Sequence, residues 1–283
     1  MGVKRVLKIY GGSLAIAYVI IGTVLWIWQE RFMFHPASVL EHTPESLYQL
    51  EYLDLWIPVA GEEKETEKIH GWWIESDRED APILLYFHHN AGNISNNLSQ
   101  AFAFKRLGYS IVLIDYRGFG LSGGSFPHES QLYRDADATW DYLTRVEKVP
   151  PERIIIYGHS LGSAIAIDLA VKQPQAAALV THNAFTSMYE MSQRFGATYL
   201  FPVDLMLRHR FESLQKVANL KMPVLFIHGV RDPQIPARMS QSLFAAAPEP
   251  KQLFLIPDAG HDNNMSEENL QEVGRLVREL FDE

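Results

Sequence analysis

Hydrophobic positions along this chain fall into two regimes. The first is a single run without charge from Ile9 to Trp28. Twenty residues in helical geometry, at about 1.5 Å each, match the roughly 30 Å hydrocarbon core of a bilayer. Tyr10 stands near one end and Trp26 and Trp28 at the other, where aromatic rings favour a membrane interface. The run predicts one N-terminal transmembrane helix within residues 1–30, uncleaved because no small-residue cleavage site follows. Lys4, Arg5 and Lys8 precede it, whereas Arg31 alone follows closely. That asymmetry predicts a single-pass protein with a cytoplasmic N-terminus and its body on the extracytoplasmic side.

The second regime, residues 31–283, is a series of short apolar runs separated by helix-length segments. Tyr52 to Ile57 and Ile69 to Ile74 read as an opening pair of strands, with the charged stretch Glu62 to Lys68 as their tip. Pro82 to His88 and Ile111 to Asp115 are continuous apolar runs, the mark of strands buried on both faces. A helical stretch over Glu129 to Val146 leads to the strand Ile154 to Tyr157. Ala178 to Thr181, Val224 to Ile227 and Leu253 to Ile256 complete the series. Strands alternating with helices predict an α/β domain with a mostly parallel central sheet and helices on both faces. Such sheets bind ligands beyond the carboxyl ends of their strands.

Composition narrows the chemistry. A length of 283 residues suits one such domain. The net charge of −9, with no dense Lys/Arg patch, argues against a nucleic-acid partner. There is no cysteine, so disulfides, thiolate catalysis and cysteine-based metal sites are excluded together.

Chemistry collects at the strand ends. The run Ile154 to Tyr157 enters Gly158-His159-Ser160-Leu161-Gly162, and an alanine- and isoleucine-rich helical segment follows. This strand, turn and helix is the setting a G-x-S-x-G nucleophile elbow requires. Glycines at both ends allow strand and helix to cross closely, lifting the Ser160 hydroxyl clear of the backbone. Val224 to Ile227 ends in His228-Gly229-Val230-Arg231-Asp232-Pro233-Gln234-Ile235-Pro236, and the next strand in Pro257-Asp258-Ala259-Gly260-His261. Ser160, Asp232 and His261 thus follow in the order nucleophile, acid, base. His261 is placed to take the Ser160 proton and Asp232 to fix its tautomer. Asp204, Asp258 and Asp262 are rival acids, but none lies just beyond the strand that precedes the histidine strand.

With these motifs in view the chain resembles the α/β-hydrolase superfamily, and within it small membrane-anchored hydrolase-domain proteins. The resemblance runs from Tyr52 to Glu283 through His88 to Asn93, Tyr116 to Gly124, Gly158 to Gly162, His228 to Pro236 and Gly260-His261. It implies an α/β-hydrolase fold, no cofactor, no metal, and an oxyanion hole from the backbone N–H groups of Leu161 and Asn90. It also implies a small cap over the site around residues 185–220. His89 stands where the family carries glycine; if φ is positive there, histidine tolerates it better than most residues. His88 and His89 are read as structural.

The cap segment is apolar and methionine-rich, including Phe185, Met188, Met191, Phe195, Tyr199, Leu205 and Met206, which suits an acyl chain and equally suits ordinary helix-packing positions. The expected activity is that of a serine hydrolase cleaving a lipid-like acyl ester, such as a monoacylglycerol or lysophospholipid, through an acyl-enzyme. A protein thioester, an amide or peptide bond, and a non-catalytic ligand receptor are the alternatives.

Overall fold

The computed structural model describes residues 3–61, 66–194, 196–262 and 266–282. Eight strands form one sheet: β1 (Leu53–Ala60), β2 (Thr66–Ile74), β3 (Ile83–Phe87), β4 (Ser110–Ile114), β5 (Ile154–His159), β6 (Ala178–His182), β7 (Val224–Gly229) and β8 (Lys251–Ile256). Their spatial order is β8-β7-β6-β5-β3-β4-β2-β1. The β1–β2 and β2–β4 pairs are antiparallel and the remaining pairs parallel. The opening pair is the expected hairpin, extended at both strands; most of its charged tip, residues 62–65, lies outside the described residues.

The continuous apolar runs have a direct physical cause. Along β5, Ile154 and Ile156 enter the core on one face of the sheet, while Ile155 and Tyr157 enter the core on the other. Successive strand side chains point to opposite faces, so a strand covered on both sides must be apolar at every position. One face is covered by α3 (Glu129–Asp141), α4 (Leu161–Lys172) and α5 (Ala237–Ala246), through Leu132, Ile165, Leu169 and Leu243. The other is covered by α2 (Leu98–Arg106) and α6 (Glu267–Asp282), through Leu98, Phe104, Val273 and Val277. The stretch predicted as one helix to Val146 is α-helical only to Asp141 and closes with a π-helical turn over Tyr142–Val146.

Gly120 explains why the Tyr116–Gly124 segment carries glycine. Its φ is +52°, and a Cβ there would collide with the carboxylate of Asp115. Ser122 then donates to the Asp115 carbonyl at 2.8 Å and accepts from the His70 amide at 2.8 Å, closing the turn against β2.

The N-terminal helix α1 (Val3–Ile27) forms, but the expected membrane anchor is not upheld. Among the described residues no helix is long and apolar enough to cross a membrane. Gly11, Gly12, Ser13, Gly22 and Thr23 dilute the apolar run. Its C-terminal end is also docked on the protein's own chain. Tyr18 stacks on Phe201 with ring centroids 4.9 Å apart, and Gly22 faces Phe201 and Met206. Just beyond α1, Gln29 donates to the Met206 carbonyl at 3.2 Å, and Arg208 pairs with Glu30 at 2.8 Å. The single-pass topology, the cytoplasmic N-terminus, the extracytoplasmic body and the membrane partner fall with the anchor.

Candidate active site

Ser160 sits between the end of β5 and the first residue of α4, with φ 53° and ψ −118°. That left-handed conformation is costly for a residue with a Cβ and lifts its side chain out of the strand–helix path. The neighbouring glycines are required by contact. A Cβ on Gly158 would collide with the carbonyl of Gly162, and one on Gly162 with the carbonyl of Phe87 at the end of β3. The amide of Ser160 donates to the His182 carbonyl at 2.8 Å, and that of Ser163 to the Ser160 carbonyl at 2.9 Å. The turn is therefore held from both sides.

Asp232 and His261 leave the adjacent parallel strands β7 and β8. His261 donates through Nδ1 to Asp232 Oδ2 at 2.6 Å. The other carboxylate oxygen accepts from the amides of Gln234 at 2.7 Å and Ile235 at 2.9 Å. Burial disfavours the charged form of Asp232, but the hydrogen bonds from His261, Ile235 and Gln234 and the nearby imidazole outweigh it. Its carboxyl is held below the ordinary value. With Nδ1 so engaged, His261 keeps Nε2 as its remaining nitrogen, the orientation a general base needs.

Two of the rival acids are placed elsewhere, whereas Asp262 stays at the rim, clustered with His159 and His261. Asp204 pairs with Arg210 at 2.7 Å and Asp258 with Arg231 at 2.5 Å, both at the surface. His228 lies 3.7 Å from Asp232. Its Nε2 donates to the Ile235 carbonyl at 2.9 Å and its Nδ1 accepts from Ser240 at 2.6 Å, so it braces the acid loop.

Leu161 opens α4, where helix N–H groups lack intrahelical acceptors. The β3 strand end crosses the same first turn at Gly162, bringing the His88–Asn93 loop to that rim. Asn90 is fixed there: its side chain donates to the Met33 carbonyl at 2.7 Å, and its carbonyl accepts from the His35 amide at 2.9 Å. A short parallel bridge between His35–Pro36 and Ala91–Gly92 anchors this loop further. His89 is not among the residues with positive φ, so its position accepts a side chain without backbone strain. His88 is wholly buried, with Nδ1 donating to the His89 carbonyl at 2.7 Å.

Two residues that the sequence motifs passed over hold the rim together. Asn183, at φ 51° just past β6, accepts from the Gly229 amide at 3.0 Å and donates to the His261 carbonyl at 2.7 Å. His159 donates through Nε2 to the same carbonyl at 3.2 Å. Asn183 follows a strand end, the rule that located the other motifs. His159 occupies the free position of the elbow, where the motif carries no signal.

Beside this rim lies a cavity of about 470 Å³, lined by His89, Asn96, Gln100, His159, Asp262 and neighbours. All of its lining residues except Ala103 carry a polar group. The apolar residues of 185–220 do not appear among them: Phe185 is buried, Met188 and Met191 pack on the core, and Tyr199 and Leu205 are exposed. Phe195 lies outside the described residues.

An uncharacterized protein of Mycobacterium tuberculosis is 34% identical over 253 residues, covering 88% of this chain and 86% of that protein. Protein bem46 of Schizosaccharomyces pombe is 31% identical over 92% of this chain and 88% of its own. The alpha/beta hydrolase domain-containing protein WAV2 of Arabidopsis thaliana is 28% identical over 81% and 79%. A family model described as serine aminopeptidase, S33, matches residues 82–207. The chain belongs to the α/β-hydrolase family. Its fold agrees with that of a Pyrococcus furiosus esterase (TM-score 0.69, 21% identity, 87% of this chain and 98% of that one). An acetyl xylan esterase from Paenibacillus sp. R4 gives a TM-score of 0.67 at 18% identity, covering 85% and 86%. The expected enzyme class, a hydrolase acting on ester bonds, accords with this family.

Proposed function

We propose that this α/β-hydrolase cleaves a carboxylic ester whose leaving alcohol is polar, of the monoacylglycerol or lysophospholipid type. The observation that carries the reading is the 2.6 Å pair of His261 and Asp232 on the rim that also holds the strained Ser160. In this reading Ser160 Oγ attacks the ester carbonyl while His261 Nε2 removes its proton. The imidazolium then protonates the departing alkoxide, and Asp232 stabilises it throughout. The amides of Leu161 and Asn90 receive the oxyanion of the tetrahedral intermediate, worth about 10²–10³ in rate for each donor. Water, activated by His261 in turn, releases the acid from the acyl-enzyme.

The cavity lining supports the choice of alcohol, since the exposed Asn96 and Ser99 side chains offer donors and acceptors to hydroxyl groups. Within the apolar segment 185–220, the exposed Tyr199, Leu200 and Leu205 remain as the proposed acyl side. A panel of esters tests this. Monoacylglycerols and lysophospholipids should be cleaved with higher kcat/KM than alkyl esters of the same acid. Equal values for glycerol and simple alkyl esters would remove the alcohol assignment. An amide reading is favoured by the aminopeptidase description of the matching family model. Aminoacyl amides in the same panel test it, and turnover of amides above esters would replace the ester reading.

A further inference from the structure

We propose that the rim carries an inhibitory site for a divalent cation of the zinc class, formed by His159, His261 and Asp262. Each offers one ligand atom, and these atoms lie within 4.8 Å of one another. Around a zinc ion, tetrahedral ligands at about 2.0–2.1 Å stand roughly 3.3 Å apart. Atoms up to 4.8 Å apart reach that spacing with a movement of about 1.5 Å, shared between the exposed Asp262 side chain and the two imidazole rings.

The hydrogen bonds already set both imidazoles for this role. His261 Nδ1 is committed to the Asp232 carboxylate, leaving Nε2 as the ligand atom. The Nε2 of His159 faces a carbonyl oxygen, which can only accept, so that nitrogen carries the proton. The lone pair of His159 is then on Nδ1, which is buried and has no hydrogen-bond partner, on a residue only 3% exposed. A ring whose outer N–H is held by a carbonyl or carboxylate is the usual state of a metal-binding histidine. Two adjoining rings meet it here, with centroids 5.3 Å apart. A buried nitrogen lacking a donor is costly in itself, and a cation would satisfy it. Both His159 and Asp262 line the cavity, which gives the ion its path from solvent.

The consequence rests on the proposed base. A cation on His261 Nε2 occupies the lone pair that would accept the Ser160 proton, so binding and turnover exclude each other. The metal acts as a brake, and a chelator releases it.

The experiment has two independent readouts on the full chain. Zinc chloride is titrated into chelator-treated protein while ester hydrolysis is followed, and each variant is compared with its own metal-free rate. Saturable inhibition by one ion at micromolar zinc, reversed by EDTA, is expected. Asp262→Asn and His159→Gln should each raise the half-inhibitory concentration at least tenfold. Calorimetry on Ser160→Ala should show one site of unchanged affinity, since the serine is not a ligand. Calorimetry therefore still reads the site if no ester is turned over. Unaltered zinc binding in both ligand variants, or no stoichiometric binding to Ser160→Ala, would overturn the proposal.

Discussion

His159 donates through Nε2 to the carbonyl oxygen of His261 across 3.2 Å. The residue before the proposed nucleophile thereby holds the backbone of the proposed base. The elbow and the β8 loop are more than a hundred residues apart in sequence, with |i−j| of 102. Asn183 adds a second bond to the same carbonyl at 2.7 Å. The rim is thus one hydrogen-bonded unit rather than three independent loops.

The elbow stores strain, and its release is measurable. Ser160 has a φ of 53°, which glycine adopts freely and alanine does not. Both Ser160→Gly and Ser160→Ala should lose esterase activity. Ser160→Gly should be more stable than Ser160→Ala in urea unfolding by about 1–3 kcal/mol. Equal stabilities would mean that the turn relaxes when the hydroxyl is removed.

Asp232 is proposed to act by orienting His261, so its loss should separate catalysis from folding. Asp232→Asn keeps a side chain of the same size against the amides of Gln234 and Ile235. Its kcat should fall by about 10³–10⁴, with circular dichroism unchanged. A fall in kcat below tenfold would transfer the acid role away from Asp232.

Buried neutral histidines make the protein sensitive to acid. Burial, with help from the charges of His88 and His261, lowers His89 to about 4. Burial, with His228 and His261, lowers His182 to about 3. Burial and His182 push His159 well below its ordinary value. In each case the unfolded chain binds a proton that the native state refuses. The stabilising contribution is complete above about pH 6.5 and is lost as pH falls toward those values, by up to about 1.4 kcal/mol per pH unit for each histidine. Urea unfolding between pH 7 and 5 should show this slope, and His182→Gln should flatten it by one histidine's share. A slope unchanged in that variant would show that His182 takes up no extra proton on unfolding.

Much of this was legible in the sequence because the sheet is buried on both faces. Runs such as Ile111 to Ile114 and Ile154 to Tyr157 mark strands without ambiguity, and the glycines at 158 and 162 mark a crossing that permits no Cβ. Asp232 was separable from Asp258 and Asp262 because only it follows the strand preceding the histidine strand. His159 was not legible, and Asn183 only as a position just past a strand end, since their roles depend on a long-range approach to the His261 carbonyl. The anchor was misread for a related reason. Hydropathy along α1 records how apolar the helix is, but not that Tyr18 and Gly22 pack on Phe201. The methionines at 188 and 191 suited acyl contact and helix packing equally in sequence, and only the fold decides for packing on the core.

The central claim is that Ser160 is a nucleophile activated by His261. It is tested most directly by labelling the purified protein with a fluorophosphonate probe, alongside Ser160→Ala and His261→Ala. The account predicts one covalent adduct on the wild-type chain, none on Ser160→Ala, and labelling slowed at least a hundredfold in His261→Ala. An adduct that persists in Ser160→Ala, or an undiminished rate in His261→Ala, would contradict it.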